Sequence, residues 1–274
     1  MSNDTLALAI GGNRWPTPSD GPSSNPGAKL LKKIILIIIL GAICTLAGGV
    51  LWVYLSLPNV GYLKSQNPKT TALIDQRLRE SRSSGKELKV RQAWVAFDSI
   101  PTILREAVRV AEDASFYEHD GIDYDELRAA VQKNLEKWQF ARGASTITQQ
   151  LAKNLFLSTD KSLRRKLEEY FIARRLEAEL SKNRIFHLYL NVIEFGPGVF
   201  GVEAAARHYF GKSVGQLGLE EVVRLTAVIP KPLNESPTRN SRWLNWRAGW
   251  ILSTLRKTSH INAAQYNEVI GRFK

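Results

Sequence analysis

Two sets of residues in this chain have the types and spacing to do chemistry. The first centres on Glu112, in the stretch EDASFYEHDGID. Ile103, Leu104, Ala107, Val108 and Ala111 recur at helical spacing before it, so Glu112 falls at the C-terminal end of an apolar helix. The helix dipole disfavours negative charge there and makes the carboxylate more basic, which suits a general base working near neutral pH. The plainer reading, that Glu112 and Asp113 merely solvate a helix end, is not separated from this one by spacing alone. The second set is cationic. Lys161, Arg164, Arg165 and Lys166 crowd the opening turns of a helix expected from about Asp160, with Glu169 on the same face as Arg165. Helix N-termini are already partly positive, so cations there break a local rule, and a bound polyanion is the simplest compensation. A solvated basic end paired with Glu168 and Glu169 fits the charge pattern equally well.

Several elements must position these groups. A helix opens after Gly143, where Thr146 and Gln149 have capping-box spacing. Its residues Ile147, Leu151 and Leu155 would face a core, leaving Thr146, Gln149, Gln150 and Lys153 as a polar face suited to a sugar and an anion. In the cationic helix, Leu163, Leu167, Tyr170, Phe171 and Leu180 form the expected apolar side. Other helices are expected after Ser99 and Pro101, over Tyr124 to Lys137, on both sides of a glycine turn at Gly196, Gly198 and Gly201, through LEEVVRLTAVI, and over 242–258, where Trp243, Trp246, Trp250 and Leu255 recur. Trp94 to Phe97 has the pattern of a short strand, but strand signals are scarce, and the part after the anchor reads as a single, mainly α domain. His119 among Asp113, Asp120 and Asp123 matches neither an EF-hand loop nor a zinc motif and reads as a hydrogen-bonded structural histidine.

Composition and charge narrow the partners. The 274 residues carry a net charge of +12, which favours anionic partners. Ile34 to Leu57 contains no charged residue and, as a helix, is roughly 36 Å long, enough to cross a bilayer. Lys29, Lys32 and Lys33 precede it and no basic residue follows until Lys64, so the N-terminus is expected in the cytoplasm and the rest outside. The expected organisation is a disordered cytoplasmic tail (1–33), a transmembrane anchor (34–57), a stalk (58–90) and an extracytoplasmic domain (91–274). A basic domain tethered outside a membrane meets phosphate-bearing lipids rather than nucleic acid. The single cysteine, Cys44, lies in the anchor, so no intrachain disulfide can form.

Five stretches then carry a resemblance: EDASFYEHDGID (112–123), GASTITQQLAKNLFLS (143–158), RRKLEEYFIARRLEAELSK (164–182), YLNVIEFGPGVFGVEAAARHYFGK (189–212) and LTAVIPKPLNESP (225–237). In this order they resemble the five signature blocks of the peptidoglycan glycosyltransferases, glycosyltransferase family 51. The chain ends shortly after the fifth, which implies the monofunctional form without a transpeptidase domain. The resemblance implies a lysozyme-like, two-lobed helical fold behind a single N-terminal transmembrane helix, in the bacterial inner membrane. It implies polymerisation of lipid II, with a growing lipid-linked glycan as donor, in inverting displacement of undecaprenyl pyrophosphate to give β-1,4 links.

Carried onto this sequence, the resemblance makes Glu112 the catalytic base and Glu169 the second essential carboxylate. Lys153, Arg165 and Lys166 match the pyrophosphate side, with Lys161 assisting. Ser145, Thr146, Gln149, Gln150 and Asn154 would meet saccharide or phosphate oxygens, while Asp113, Phe116 and His119 hold the Glu112 turn in shape. A divalent cation, Mg2+ or Mn2+, is expected with the substrate pyrophosphate, reached by Glu169, and other wall-building proteins are expected partners. Between the first two blocks, Leu135, Trp138 and Phe140, interleaved with Lys133, Lys137 and Arg142, suit a membrane interface; ordinary core aromatics are the alternative. Two other functions are weighed: a lysozyme-like lytic enzyme using Glu112 as general acid, which has no use for the cations, and a non-catalytic receptor for pyrophosphate lipids.

Overall fold

The structure, a computed structural model, describes residues 26–137, 145–160 and 162–273. Lys161, Trp138, Phe140, Arg142 and the tail up to 25 fall outside that range, as do the side chains of Lys133, Leu135 and Lys137. The chain divides into two compact units, Met1–Trp52 and Val53–Lys274. In the first, the described residues form one helix, α1 (Pro26–Leu55). Lys29–Leu55 is long and apolar enough to cross a membrane, the one such helix among the described residues, and its side chains are exposed, Ile37 at 67% and Leu46 at 71%. Surface that apolar suits the interior of a lipid bilayer. The helix begins earlier than the expected anchor, since Pro26, with its fixed φ, suits a first helical position.

The segment expected as a stalk is instead folded into the second unit. Val60 and Leu63 are buried in the main core, and α2 (Ala72–Ser83) is capped by the Thr71 hydroxyl, which accepts from the Ile74 N–H at 3.1 Å. Leu73 and Ile74 of α2 pack on Phe200. These apolar residues are outnumbered by charged ones, so composition suggested a solvated linker while four or five well-spaced side chains sufficed for docking.

Beyond it, the short strand β1 (Arg91–Gln92) pairs in parallel with β3 (Val199–Phe200), which is antiparallel to β2 (Glu194–Gly196). The expected strand over Trp94 to Phe97 is not formed; a 3-10 turn occupies Phe97–Ser99. The glycine turn proves to be the β2–β3 hairpin. Gly198 and Gly201 have positive φ, and a Cβ at either would lie 2.6 Å from a backbone carbonyl, so only glycine closes this turn.

The remaining elements are helices: α3 (Thr102–Glu112), α4 (Tyr124–Lys137), α5 (Ile147–Phe156), α6 (Leu163–Glu179), α7 (Lys182–Val192), α8 (Val202–Phe210), α9 (Leu219–Val228), α10 (Arg242–Lys257) and α11 (Ala263–Ile270). The fold after the anchor is therefore mainly α. Ile147 and Leu151 are fully buried and Leu155 nearly so, which places α5 between α6 and α7 with α2 alongside. A second layer packs α3 against α9 and α10. On α6 the expected apolar side holds at Leu167 and Phe171, which pack against the core, and at Leu180 just after the helix, which is buried in it; Leu163 departs from it at 92% exposed, and the most deeply buried line runs through Glu169, Ile172, Ala173 and Leu176. A carboxylate thus occupies a core-facing position, which apolar periodicity cannot reveal.

Candidate active site

Glu112 is the last residue of α3, and its side chain is 8% exposed. Two donors hold it. The Arg247 guanidinium of α10 donates to Oε1 at 2.8 Å, and the Gln150 amide of α5 donates to Oε2 at 3.1 Å. Tyr189 of α7 donates its hydroxyl to Gln150 Oε1 at 2.9 Å, which fixes the amide with its NH2 toward Glu112. Burial pushes the Glu112 carboxyl above the ordinary glutamate value, opposed by Arg247, Gln150 and Lys153. The helix-end argument from sequence gave the right direction, but desolvation is the main cause.

The turn after Glu112 is braced by Asp113, His119 and Phe116. Asp113 accepts the Ile147 N–H at 2.9 Å, tying the end of α3 to the first turn of α5. His119 Nδ1 accepts the Gly121 N–H at 3.1 Å, so its proton sits on Nε2, which donates to Asp113 at 3.0 Å. Phe116 is fully buried against Phe186, with the Lys182 ammonium 4.5 Å above its ring. This histidine is hydrogen-bonded within the fold, as its setting in the sequence indicated.

Thr146 and Gln149 form the capping box: Gln149 N–H donates to the Thr146 hydroxyl, and Thr146 N–H to Gln149 Oε1, both at 3.1 Å. The Thr146 hydroxyl donates in turn to the Gly121 carbonyl at 2.6 Å. Both side chains are buried, and the Thr146 hydroxyl and Gln149 Oε1 are engaged in the cap. Gln150 is likewise engaged, with Glu112, Tyr189 and, at 3.4 Å, the Ser145 carbonyl. The polar face read from spacing is real, and its first turn also caps the helix. Asn154 and Lys153 remain on it, lining a cavity of about 220 Å³ together with Arg77, Glu194 and Pro230.

The cationic side is built on α6. Glu169, 3% exposed, accepts from Arg165 at 2.6 Å and from Lys166 at 2.5 Å. Lys166 also donates to the Ser145 hydroxyl at 3.1 Å, joining α6 to the chain just before α5. Lys153 approaches from α5. Its ammonium forms no hydrogen bond or ion pair among the described residues and is held below the ordinary lysine value by burial. The charges acting on it are Glu169 first, then Arg165, Lys166 and Glu112. Lys153 therefore sits where the two candidate sets converge. Three cations face one carboxylate, an arrangement left with positive charge for a ligand.

The divalent cation is expected together with the substrate pyrophosphate rather than as a resident ion. Among the described residues no group of three or more His, Cys, Asp or Glu is placed to hold an ion. Both Glu169 oxygens are already bonded to cations, so the described residues by themselves do not fit a resident divalent ion.

Sequence reasoning gave no role to Tyr189, which orients Gln150, and missed two further contributors. Arg247 is one; the tryptophan spacing of its helix drew attention to the apolar side, and a lone arginine among them gave no sign of reaching Glu112. The other is the pair Arg77–Glu194, in which Nε and Nη2 of Arg77 grip both Glu194 oxygens at 2.9–3.1 Å and join α2 to β2 at the cavity wall. A signal existed in the hydroxyl-capped start of α2, but it lay inside the supposed stalk.

A profile of the Transglycosylase family matches residues 80–256. Among relatives, the biosynthetic peptidoglycan transglycosylase of Nitrosospira multiformis is 42% identical over 76% of this chain and 89% of its own length. That of Dechloromonas aromatica is 41% identical over 83% and 97%, and that of Bordetella pertussis 39% identical over 82% and 93%.

Proposed function

The chain belongs to the transglycosylase family, and from that premise we propose that it polymerises lipid II into glycan strands of the cell wall. The observation that carries this reading is the opposition of a buried, partnered carboxylate, Glu112, to three cations around Glu169, with Lys153 sensing both. A glycosidic displacement with inversion needs a base on the attacking side and stabilisation of the leaving group on the other. Glu112 removes the proton from the acceptor 4-hydroxyl as that oxygen bonds to the donor anomeric carbon. The bond from that carbon to the pyrophosphate oxygen breaks, and its electron pair leaves with undecaprenyl pyrophosphate. Lys153, Arg165 and Lys166 meet the charge that develops there, held by Glu169; preorganised cations lower such barriers without reorganising.

α1 supports anchoring in the membrane that holds the lipid-linked substrates, and the lysines flanking its start support a cytoplasmic N-terminus with the catalytic domain outside. Wall-building partner proteins belong to the same proposal. A divalent cation enters it as a companion of the substrate pyrophosphate, whose oxygens would supply its ligands; no step is assigned to it.

The test is direct. Purified full-length protein given lipid II in detergent should form a polymer that lysozyme digests, releasing undecaprenyl pyrophosphate as links form. Lipid II recovered intact, or cleavage of preformed glycan instead of synthesis, would overturn the assignment.

A further inference from the structure

A base that waits in the resting enzyme bonded to a guanidinium poses a physical problem. Arg247 lowers the basicity of the group it touches, yet Glu112 must accept a proton. The geometry resolves it. Arg247 grips one oxygen, Oε1, through Nη2 at 2.8 Å, while the neutral Gln150 amide donates to the other at 3.1 Å. Each carboxylate oxygen offers two lone-pair sites, so each keeps one free. Of the two, Oε2 carries the weaker, uncharged partner and is the more basic.

We propose that Arg247 is a positioning residue for the proton transfer: it fixes the Glu112 carboxylate by Oε1, keeps it ionised in its buried site, and leaves Oε2 to take the acceptor proton. This rests on the glycan-polymerising reading above. Three further observations support it. Arg247 comes from α10, whose packing on α3 brings it to the end of that helix. Its Nη2 also approaches the Ala111 carbonyl at 3.4 Å, one of the free acceptors of the last turn of α3. Its side chain is 17% exposed, so it acts in a setting little screened by solvent. Orientation of the carboxylate is completed from the other side by the chain Tyr189 to Gln150 to Glu112.

The groups that set the charge state of Glu112 are few. Arg247 faces it from α10, Lys153 from α5, and Tyr189 and Asp113 lie within the same cluster. The charged groups of α9, which also packs on α3, are engaged elsewhere: Arg224 with Glu220, and Glu221 with Lys212. Arg247 is thus the one cation bonded to Glu112 among the described residues, and removing it should move the titration of the base.

The experiment is the pH dependence of kcat/KM for lipid II polymerisation by the full-length protein and its Arg247→Gln and Arg247→Lys variants. A base works only when ionised, so activity falls as pH drops through its pKa. In Arg247→Gln that acid limb should move up by about one to three units, with activity near neutral pH reduced on the order of tenfold or more and recovering as pH rises. Arg247→Lys keeps the charge but loses the planar fork; its limb should stay within about half a unit of wild type while kcat falls roughly tenfold. A loss in Arg247→Gln that is the same at every pH makes Arg247 merely structural and overturns the proposal, as does a wild-type profile. Thermal melts identify a variant that fails to fold; should Arg247→Gln be one, wild-type kcat/KM across the pH range in Arg247→Lys contradicts the positioning role. Wild-type enzyme that makes no polymer sinks the underlying reading instead, so the two failures are distinguishable.

Discussion

The two sides of the site are built differently. At the α3 end, both Glu112 oxygens have partners, and one of those partners is itself held by Tyr189. On α6, Glu169 is also fully engaged, but the cations around it are not balanced, and Lys153 has no partner among the described residues. A proton acceptor needs a fixed direction and a tuned charge, which a closed network supplies. A leaving-group site needs charge that is uncompensated until the ligand arrives, because a carboxylate for every cation would cancel the field on a developing anion. On the proposed mechanism, the closed half sets when the base is ready, and the open half sets what can leave.

The largest break in this comparison comes from Glu112→Gln. It should lower kcat by roughly 10²–10⁴-fold while binding of a lipid pyrophosphate, read by fluorescence or calorimetry, persists. Loss of binding together with turnover would move Glu112 to the other side of the comparison. Lys153→Ala should cost about 10²–10³-fold in kcat/KM, with weaker binding of the same lipid; normal kinetics would show that the unpartnered lysine does not meet the leaving group. Glu169→Gln leaves the cations in place but frees Arg165 and Lys166 from their holder, so a loss of about 10²-fold is expected. An effect as small as that of an exposed surface residue would mean the cations need no holder.

A finer test uses pH. Burial raises the Glu112 pKa and lowers that of Lys153. The base is active above its pKa and the lysine is charged below its own. The rate should therefore be bell-shaped, with an acid limb above the usual glutamate range and an alkaline limb below the usual lysine range. Lys153→Arg, always charged, should remove the alkaline limb and leave the acid one; an unmoved alkaline limb would assign it to another group. The smallest effect is expected from chelation, a slowing of roughly two- to tenfold, since in the proposed mechanism three side-chain cations already meet the pyrophosphate. Full activity in chelator would take the divalent ion out of the account.

Much of this was legible in the sequence, for reasons that differ by element. The α5 cap is local, set by Thr146 and Gln149 three residues apart, and it formed as spaced. Glu112 and the Asp113–His119 brace lie within one short stretch, and Arg165, Lys166 and Glu169 within one helix turn or so. What escaped depends on long-range packing. Arg247 meets Glu112 across 135 residues, and Arg77 meets Glu194 across 117. No periodicity encodes either pairing. The burial of Glu169 on α6 escaped because the residue is charged, and hydrophobic patterning counts such a residue as solvent-facing. Spacing also leaves the duty of a polar residue open: Thr146 and Gln149 serve the helix start, which the capping pattern alone accounts for.

The central claim is that leaving group and base occupy opposite sides of one cleft, and a structure of the Glu112→Gln protein with lipid II bound tests it most directly. The account predicts the donor pyrophosphate within salt-bridge distance, about 4 Å, of Lys153 and at least one of Arg165 and Lys166, with the acceptor 4-hydroxyl against residue 112. A pyrophosphate bound away from these cations, or an acceptor hydroxyl directed at Glu169, would contradict it.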